Sequence, residues 1–181
     1  ALVNFLNYVK EYSTNKDWDY ERLKKIQGLC FINDKNELVF NGFGPSIPSE
    51  DITYPDYDLL RKGLKNHPEM IQNYFCPASR SGLFRFDSRS YEPGRAPLLA
   101  GIFVTKGCVA RCSFCQRSTK GYRTMSLIGL EKHLMHLKQE FNVGFIQILD
   151  ENFGSNKAHG YAVARLMKKL DLLWLAVGVR C

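Results

Sequence analysis

Three apolar runs, "PLLAGIFV" (97–104), "VGFIQIL" (143–149) and "LLWLAVGV" (172–179), alternate with two amphipathic stretches in the second half of this chain. No other feature restricts the fold as much. A run that is apolar at nearly every position suits a strand covered on both faces, as parallel strands are. Between the runs, "SLIGLEKHLMHLKQEF" sets Leu127, Leu130, Leu134, Leu137 and Phe141 along one helical stripe. "NKAHGYAVARLMKKL" follows Ser155, a candidate cap, and would turn Ala162, Leu166 and Leu170 inward. Strand, helix, strand, helix, strand with right-handed crossovers predicts a parallel α/β sheet. Three strands cannot close a barrel. Ligands of such sheets gather at the carboxyl ends of the strands. Cys108, Cys112 and Cys115 follow the first run, Asp150 and Glu151 the second, and Arg180 the third.

The first half is built differently. "ALVNFLNYVKEY" spaces Leu2, Phe5, Leu6 and Val9 as a helix, and Asp19 is placed to cap a second helix ending at Gly28. "LCFIND" and "ELVFNG" read as a hairpin turning at Asp34-Lys35-Asn36, with Cys30 expected as a buried structural thiol. Residues 41–97 carry all seven prolines and read as irregular apart from a short helix at "YDLLRKGLKN", and Cys76 there is a spare thiol. The expected organisation is a small α+β segment at 1–60, an irregular linker at 61–95 and the α/β part at 96–181.

No run approaches the ~20 apolar residues of a membrane span, and the opening stretch lacks the basic start of a secretory signal. A soluble, cytoplasmic protein is expected. The net charge of +7 is scattered over residues such as Lys24, Lys25, Lys168 and Lys169, which describes a solvated surface and argues against a nucleic-acid groove. The chain starts at Ala1 and stops at Cys181 directly after an apolar run, so an internal fragment is expected.

Three of the six cysteines fall within "GCVARCSFCQR". In a reducing compartment such clustering points to metal or redox chemistry. Cysteine thiolates are the usual ligands of iron–sulfur clusters, and three of them leave one iron of a cubane open to a substrate. A short loop gathers three sulfurs with little closure entropy. A ferredoxin run would need a fourth cysteine and a proline after it. A zinc site from Cys112, Cys115, His133 and His136 would leave Cys108 without a role, and both histidines are expected at the helix surface. Cys181 is expected to be a bystander.

The spacing Cys108-x3-Cys112-x2-Cys115, with Phe114 before the third cysteine, resembles the signature of the radical S-adenosylmethionine (radical SAM) superfamily. "YRTMS" resembles the lead into the first barrel helix, with Arg123 and Ser126 matching. "ILDENFG" resembles the acidic end of the second strand, and "LAVGVRC" the third strand ending in Arg. The resemblance implies a [4Fe-4S] cluster on the three cysteines and S-adenosylmethionine touched by Phe114, Asp150, Glu151 and Arg180. It also implies the first half of a (β/α) partial TIM barrel, and an electron donor such as flavodoxin or ferredoxin. "GLCF" (28–31) and "ITYPDYDLL" (52–60) resemble the small α+β connector after a cobalamin-binding domain, as in relatives of the magnesium-protoporphyrin monomethyl ester cyclase. That implies cobalamin held by a preceding domain, since the cobalamin ligand motif Asp-x-His-x-x-Gly is absent here. The substrate, a small molecule or peptide, is not legible. A tRNA methylthiotransferase relative and a non-catalytic zinc module are the alternatives.

Overall fold

The computed structural model describes residues 2–12, 18–44, 47–115 and 121–179. The chain divides into two compact units, 1–46 and 47–181.

In the first unit, helix α1 (Leu2–Tyr12) is followed by the short helix α2 (Tyr20–Leu23). Asp19 caps α2 as expected, its carboxylate accepting from the Arg22 amide at 3.1 Å. Strands β1 (Cys30–Ile32) and β2 (Leu38–Phe40) form the expected antiparallel hairpin. Asn36 takes the left-handed turn position at φ 61°, and the Asn33 side chain accepts from the amides of Lys35 and Glu37. Tyr8, Leu23 and Ile26 form the core, against which Phe5, Val9, Tyr20, Leu29 and Phe31 pack. Cys30 is exposed, contrary to expectation. Strand side chains alternate, and since Phe31 packs inward its neighbour must face out.

The second unit holds helix α3 (Tyr57–Gly63), capped by Asp56, and an edge strand β3 (Cys76–Pro77) among short 3₁₀ turns between 68 and 91. Strand β4 (Leu98–Ile102), the hairpin β5 (Thr105–Gly107) and β6 (Tyr122–Thr124), helix α4 (Leu127–Phe141), strand β7 (Val143–Ile148), helix α5 (Lys157–Lys169) and strand β8 (Leu173–Ala176) follow. The main sheet runs β3-β4-β7-β8. Its last three strands are parallel, as the alternation predicts, while β3 is antiparallel to β4. The unit is therefore mixed α/β with parallel pairing.

Both helices cover one face of the sheet. Leu130, Leu134, Leu137 and Phe141 of α4 and Val163, Leu166 and Met167 of α5 pack on Ala100, Ile102, Ile146 and Ile148. The inward face of α5 thus includes Val163 and Met167 beside Leu166. Its cap is Asn156, not Ser155, with the Asn156 side chain accepting from the His159 amide at 3.1 Å. Among the described residues the other face is covered at its amino end, where Ala78 and Phe84 meet Leu99, Phe145 and Leu173. Toward the carboxyl ends Gly101 is exposed and Gln147 and Leu175 are half-buried. Double-sided burial, expected along the whole of each run, therefore holds for half of each strand. Residues 61–95, read as a linker, supply β3 and place Phe75, Ala78 and Phe84 in the core. Among the described residues no helix is long and apolar enough to cross a membrane.

Gly144 marks the one irregularity of the parallel pairing. Leu98 faces Val143 but Leu99 faces Phe145, so Gly144 is the extra residue of a bulge. A Cβ there would lie 2.1 Å from the Ala96 carbonyl oxygen. Gly144→Ala must displace backbone, and thermal or urea unfolding should register a loss of about 3 kcal/mol. An unchanged midpoint would show that 96–98 can move aside freely.

Candidate functional site

The three parallel strands end together, and the loop bearing Cys108 and the residues Asp150 and Asn152 are bonded there. Past β4 the chain does not stop pairing: Thr105–Gly107 turns into a hairpin with Tyr122–Thr124, and Gly107 pairs with Tyr122 at its neck. The loop carrying Cys108, Cys112 and Cys115 is therefore closed at its base by a β-ladder. Gly107 takes φ 81° where the loop leaves β5, a conformation that favours glycine. Met125 closes the hairpin on the sheet, its amide donating to the Val104 carbonyl at 3.0 Å. Ser126, matched to the lead into the first helix, caps α4 by accepting from the Gly129 amide. Arg123 donates to the Ile47 carbonyl at 2.8 Å.

Asp150 fixes this hairpin from below. It is 3% exposed. One carboxylate oxygen accepts from the amides of Val104 at 2.8 Å and Thr105 at 3.1 Å, and the other from the Thr105 hydroxyl at 2.7 Å. These amides lie where the chain leaves β4 and enters β5, beyond the reach of the β7 ladder, and a carboxylate is the acceptor best suited to several converging donors. Asp150, expected to face a cofactor, here turns its carboxylate to the protein. Its oxygens are already engaged inside the protein, and it serves as the strand-end tie. Glu151, one residue on, is exposed.

Nothing in the cysteine pattern points to Asn152 or Thr105. Asn152 is 4% exposed and donates its side-chain amide to the Cys108 sulfur at 3.4 Å. The Ala110 amide donates to the same sulfur, also at 3.4 Å. A polar residue two places past an apolar strand was the available signal. The third strand end closes the arrangement. Phe153 donates its amide to the Gly178 carbonyl at 3.1 Å and pairs in parallel with Val179. Gly178 sits at φ 73°, and a Cβ on it would be 2.5 Å from the Asp150 carbonyl oxygen, so the close approach needs glycine.

Cys108 and Cys112 are half-buried and Cys115 is exposed, with the Cys115 amide bonded to the Cys112 carbonyl at 3.2 Å. Phe114 is 90% exposed, which rules out a packing role. Among the described residues no three His, Cys, Asp or Glu side chains are grouped tightly enough to hold a metal ion. The donor set is nevertheless chemically suited to a cluster: three thiols of one loop, and a first sulfur that already accepts two N–H bonds. Arg180 and Cys181 lie outside the described residues. No family model, curated protein or solved structure matches this chain.

His133 departs from expectation. It is 7% exposed, on the core side of α4. Its ring stacks on Tyr54 at 4.3 Å between centroids and on Tyr57 at 5.7 Å. Tyr57 continues the stack to the half-buried His136 at 6.3 Å. The helical wheel places His133 beside the stripe, and the tyrosines preceding and opening α3 cover that flank. A ring stacked between two tyrosines is not offered to zinc. His133 Nε2 and the Tyr54 hydroxyl have no hydrogen-bond partner among the described residues. Burial, with the charge of nearby Asp150 adding, holds the Tyr54 hydroxyl well above its ordinary range.

Burial, followed by repulsion from His136, lowers the His133 pKa to about 4. The unfolded chain then binds the extra proton, so stability is full above pH ~6.5 and falls as the pH drops toward about 4. His133→Phe keeps a ring in the stack and removes this titration. Between pH 7 and 4.5 the unmodified protein should lose about 2 kcal/mol more than the variant in urea unfolding. Parallel pH profiles would show that the ring is solvated.

Proposed function

We propose that this chain carries the cluster-binding half of a radical SAM enzyme, of the subclass linked to cobalamin through a preceding domain. The observation that carries the reading is the loop of Cys108, Cys112 and Cys115, closed at its neck and seated at the carboxyl end of a parallel sheet. Two features of the fold favour a barrel of this kind over a doubly wound sheet. The strands β4, β7 and β8 lie in sequential order, and α4 and α5 share one face. The opposite face, open at its carboxyl half around Gly101, Gln147 and Leu175, would then look into the barrel.

Cys108, Cys112 and Cys115 would supply three thiolates to a [4Fe-4S] cluster, and leave its fourth iron to S-adenosylmethionine. When bound, that pair supplies the one-electron reduction that cleaves the sulfonium, with the electron delivered by a flavodoxin or ferredoxin. The chain's own residues bind and orient. The exposed Phe114 ring beside Cys115 offers a face to the cofactor, and the Glu151 carboxylate suits its ammonium by charge-assisted hydrogen bonding. The resemblance also assigns Arg180 to the cofactor. Asp150, Thr105 and Gly178 keep the loop's root fixed while it closes around the cluster. The substrate is a small molecule or peptide held by parts of the barrel beyond these strands.

Anaerobic reconstitution of the chain with ferrous iron and sulfide tests the reading. About four irons and four sulfides per chain support it. One zinc and no iron, after exposure to both metals, overturns it in favour of a zinc module.

A further inference from the structure

We propose that Asn152 is a positioning residue for the cluster's electronics: its side-chain amide donates to the Cys108 sulfur and draws electron density from it, without being needed for iron to bind. The inference rests on the cluster reading and extends it to a residue with no part in the cysteine pattern. Asn152 is 4% exposed, and a buried amide that gave up water without a partner would be costly. The acceptor on its Nδ2 is the Cys108 sulfur at 3.4 Å. The Ala110 amide reaches the same sulfur at 3.4 Å, so Cys108 is anchored by one backbone and one side-chain donor.

The backbone of Asn152 is itself held from both sides. Asp150, two residues earlier, binds Val104 and Thr105. Phe153, the next residue, is paired with the end of the third strand through Gly178 and Val179. The amide is thus presented from the tip of one strand to the loop following another, a geometry set by the sheet and not by the loop. A neutral donor is the right chemistry there. It satisfies a thiolate without adding negative charge, and N–H bonds to cluster sulfurs favour the more negative, reduced state and so raise the potential.

The test compares the unmodified chain with Asn152→Ala and the near-isosteric Asn152→Leu, each reconstituted anaerobically with ferrous iron and sulfide. Iron per chain and the cluster's midpoint potential are measured. Both variants should bind as much iron as the unmodified chain and titrate at a lower potential. Iron in all three with unmoved potentials overturns the proposal and leaves the cluster reading intact. Iron in the unmodified chain and in neither variant assigns Asn152 to folding alone, and also overturns it. An unmodified chain that takes no iron overturns the cluster reading itself, and this proposal with it.

Discussion

Asp150→Ala is expected to destabilise the second unit by on the order of 4 kcal/mol, measured as the shift in urea or thermal unfolding. The reason lies in what the carboxylate leaves behind. Three donors, the amides of Val104 and Thr105 and the Thr105 hydroxyl, converge on it within 3.1 Å. Val104 and Thr105 are buried, so alanine would strand two backbone N–H groups out of reach of water. Asp150→Asn separates this role from a cofactor-facing one. The amide oxygen still accepts from both backbone groups, and its NH₂ can donate to the Thr105 hydroxyl, which rotates to accept. The asparagine variant should therefore lose about 1 kcal/mol, through weaker bonds to a neutral acceptor. Equal, small losses in both variants would mean that the carboxylate does not hold the hairpin. Since the hairpin is the root of the cysteine loop, Asp150→Ala should also lower iron uptake in step with its lost stability.

Cys108→Ala, Cys112→Ala and Cys115→Ala are each expected to reduce bound iron from about four per chain to a small remainder, with loss of the visible charge-transfer absorption. A cubane held by three protein thiolates has none to spare, and alanine offers no replacement ligand. Cys30→Ala and Cys76→Ala serve as controls that should bind iron as the unmodified chain does. Cys30 stands on the solvent side of β1 in the first unit, and Cys76 is exposed on the edge strand β3. Cys112→Ala, Cys115→Ala and the two controls should unfold within about 0.5 kcal/mol of the parent before metal is added, because none of these thiols is fully buried, whereas Cys108→Ala strands the buried Asn152 amide and should lose about 1 kcal/mol more. Full iron retention in any one loop variant, or loss in either control, would refute the three-thiolate assignment.

The three long strands and two long helices of the second unit were legible because their causes are local. A run such as "VGFIQIL" is apolar whichever strand it pairs with, and Ser126 caps α4 with an acceptor three residues from its donor. The turn at Asn36 and the cap at Asp19 belong to the same class. Where local pattern does not decide, the deciding partner is distant in sequence. Whether Asp150 faced a cofactor or the protein depended on Val104 and Thr105, and the fate of His133 on Tyr54 and Tyr57. The β5/β6 ladder is hidden in the sequence because its strands are three residues each and flank the cysteine loop. Cys30 turned outward through the strict alternation of a strand whose inner face was claimed by Phe31.

By itself the sequence determined the alternation of three long apolar strands with two helices and their parallel pairing, since periodicity acts within a few residues. Only the tertiary structure decided which carboxylate is consumed internally, which amide reaches the Cys108 sulfur, and which sheet face is left open. Those outcomes depend on groups some 40 residues apart meeting at the carboxyl ends of neighbouring strands. There, past the last ladder bonds, each unpaired donor must take whatever acceptor the fold brings to it.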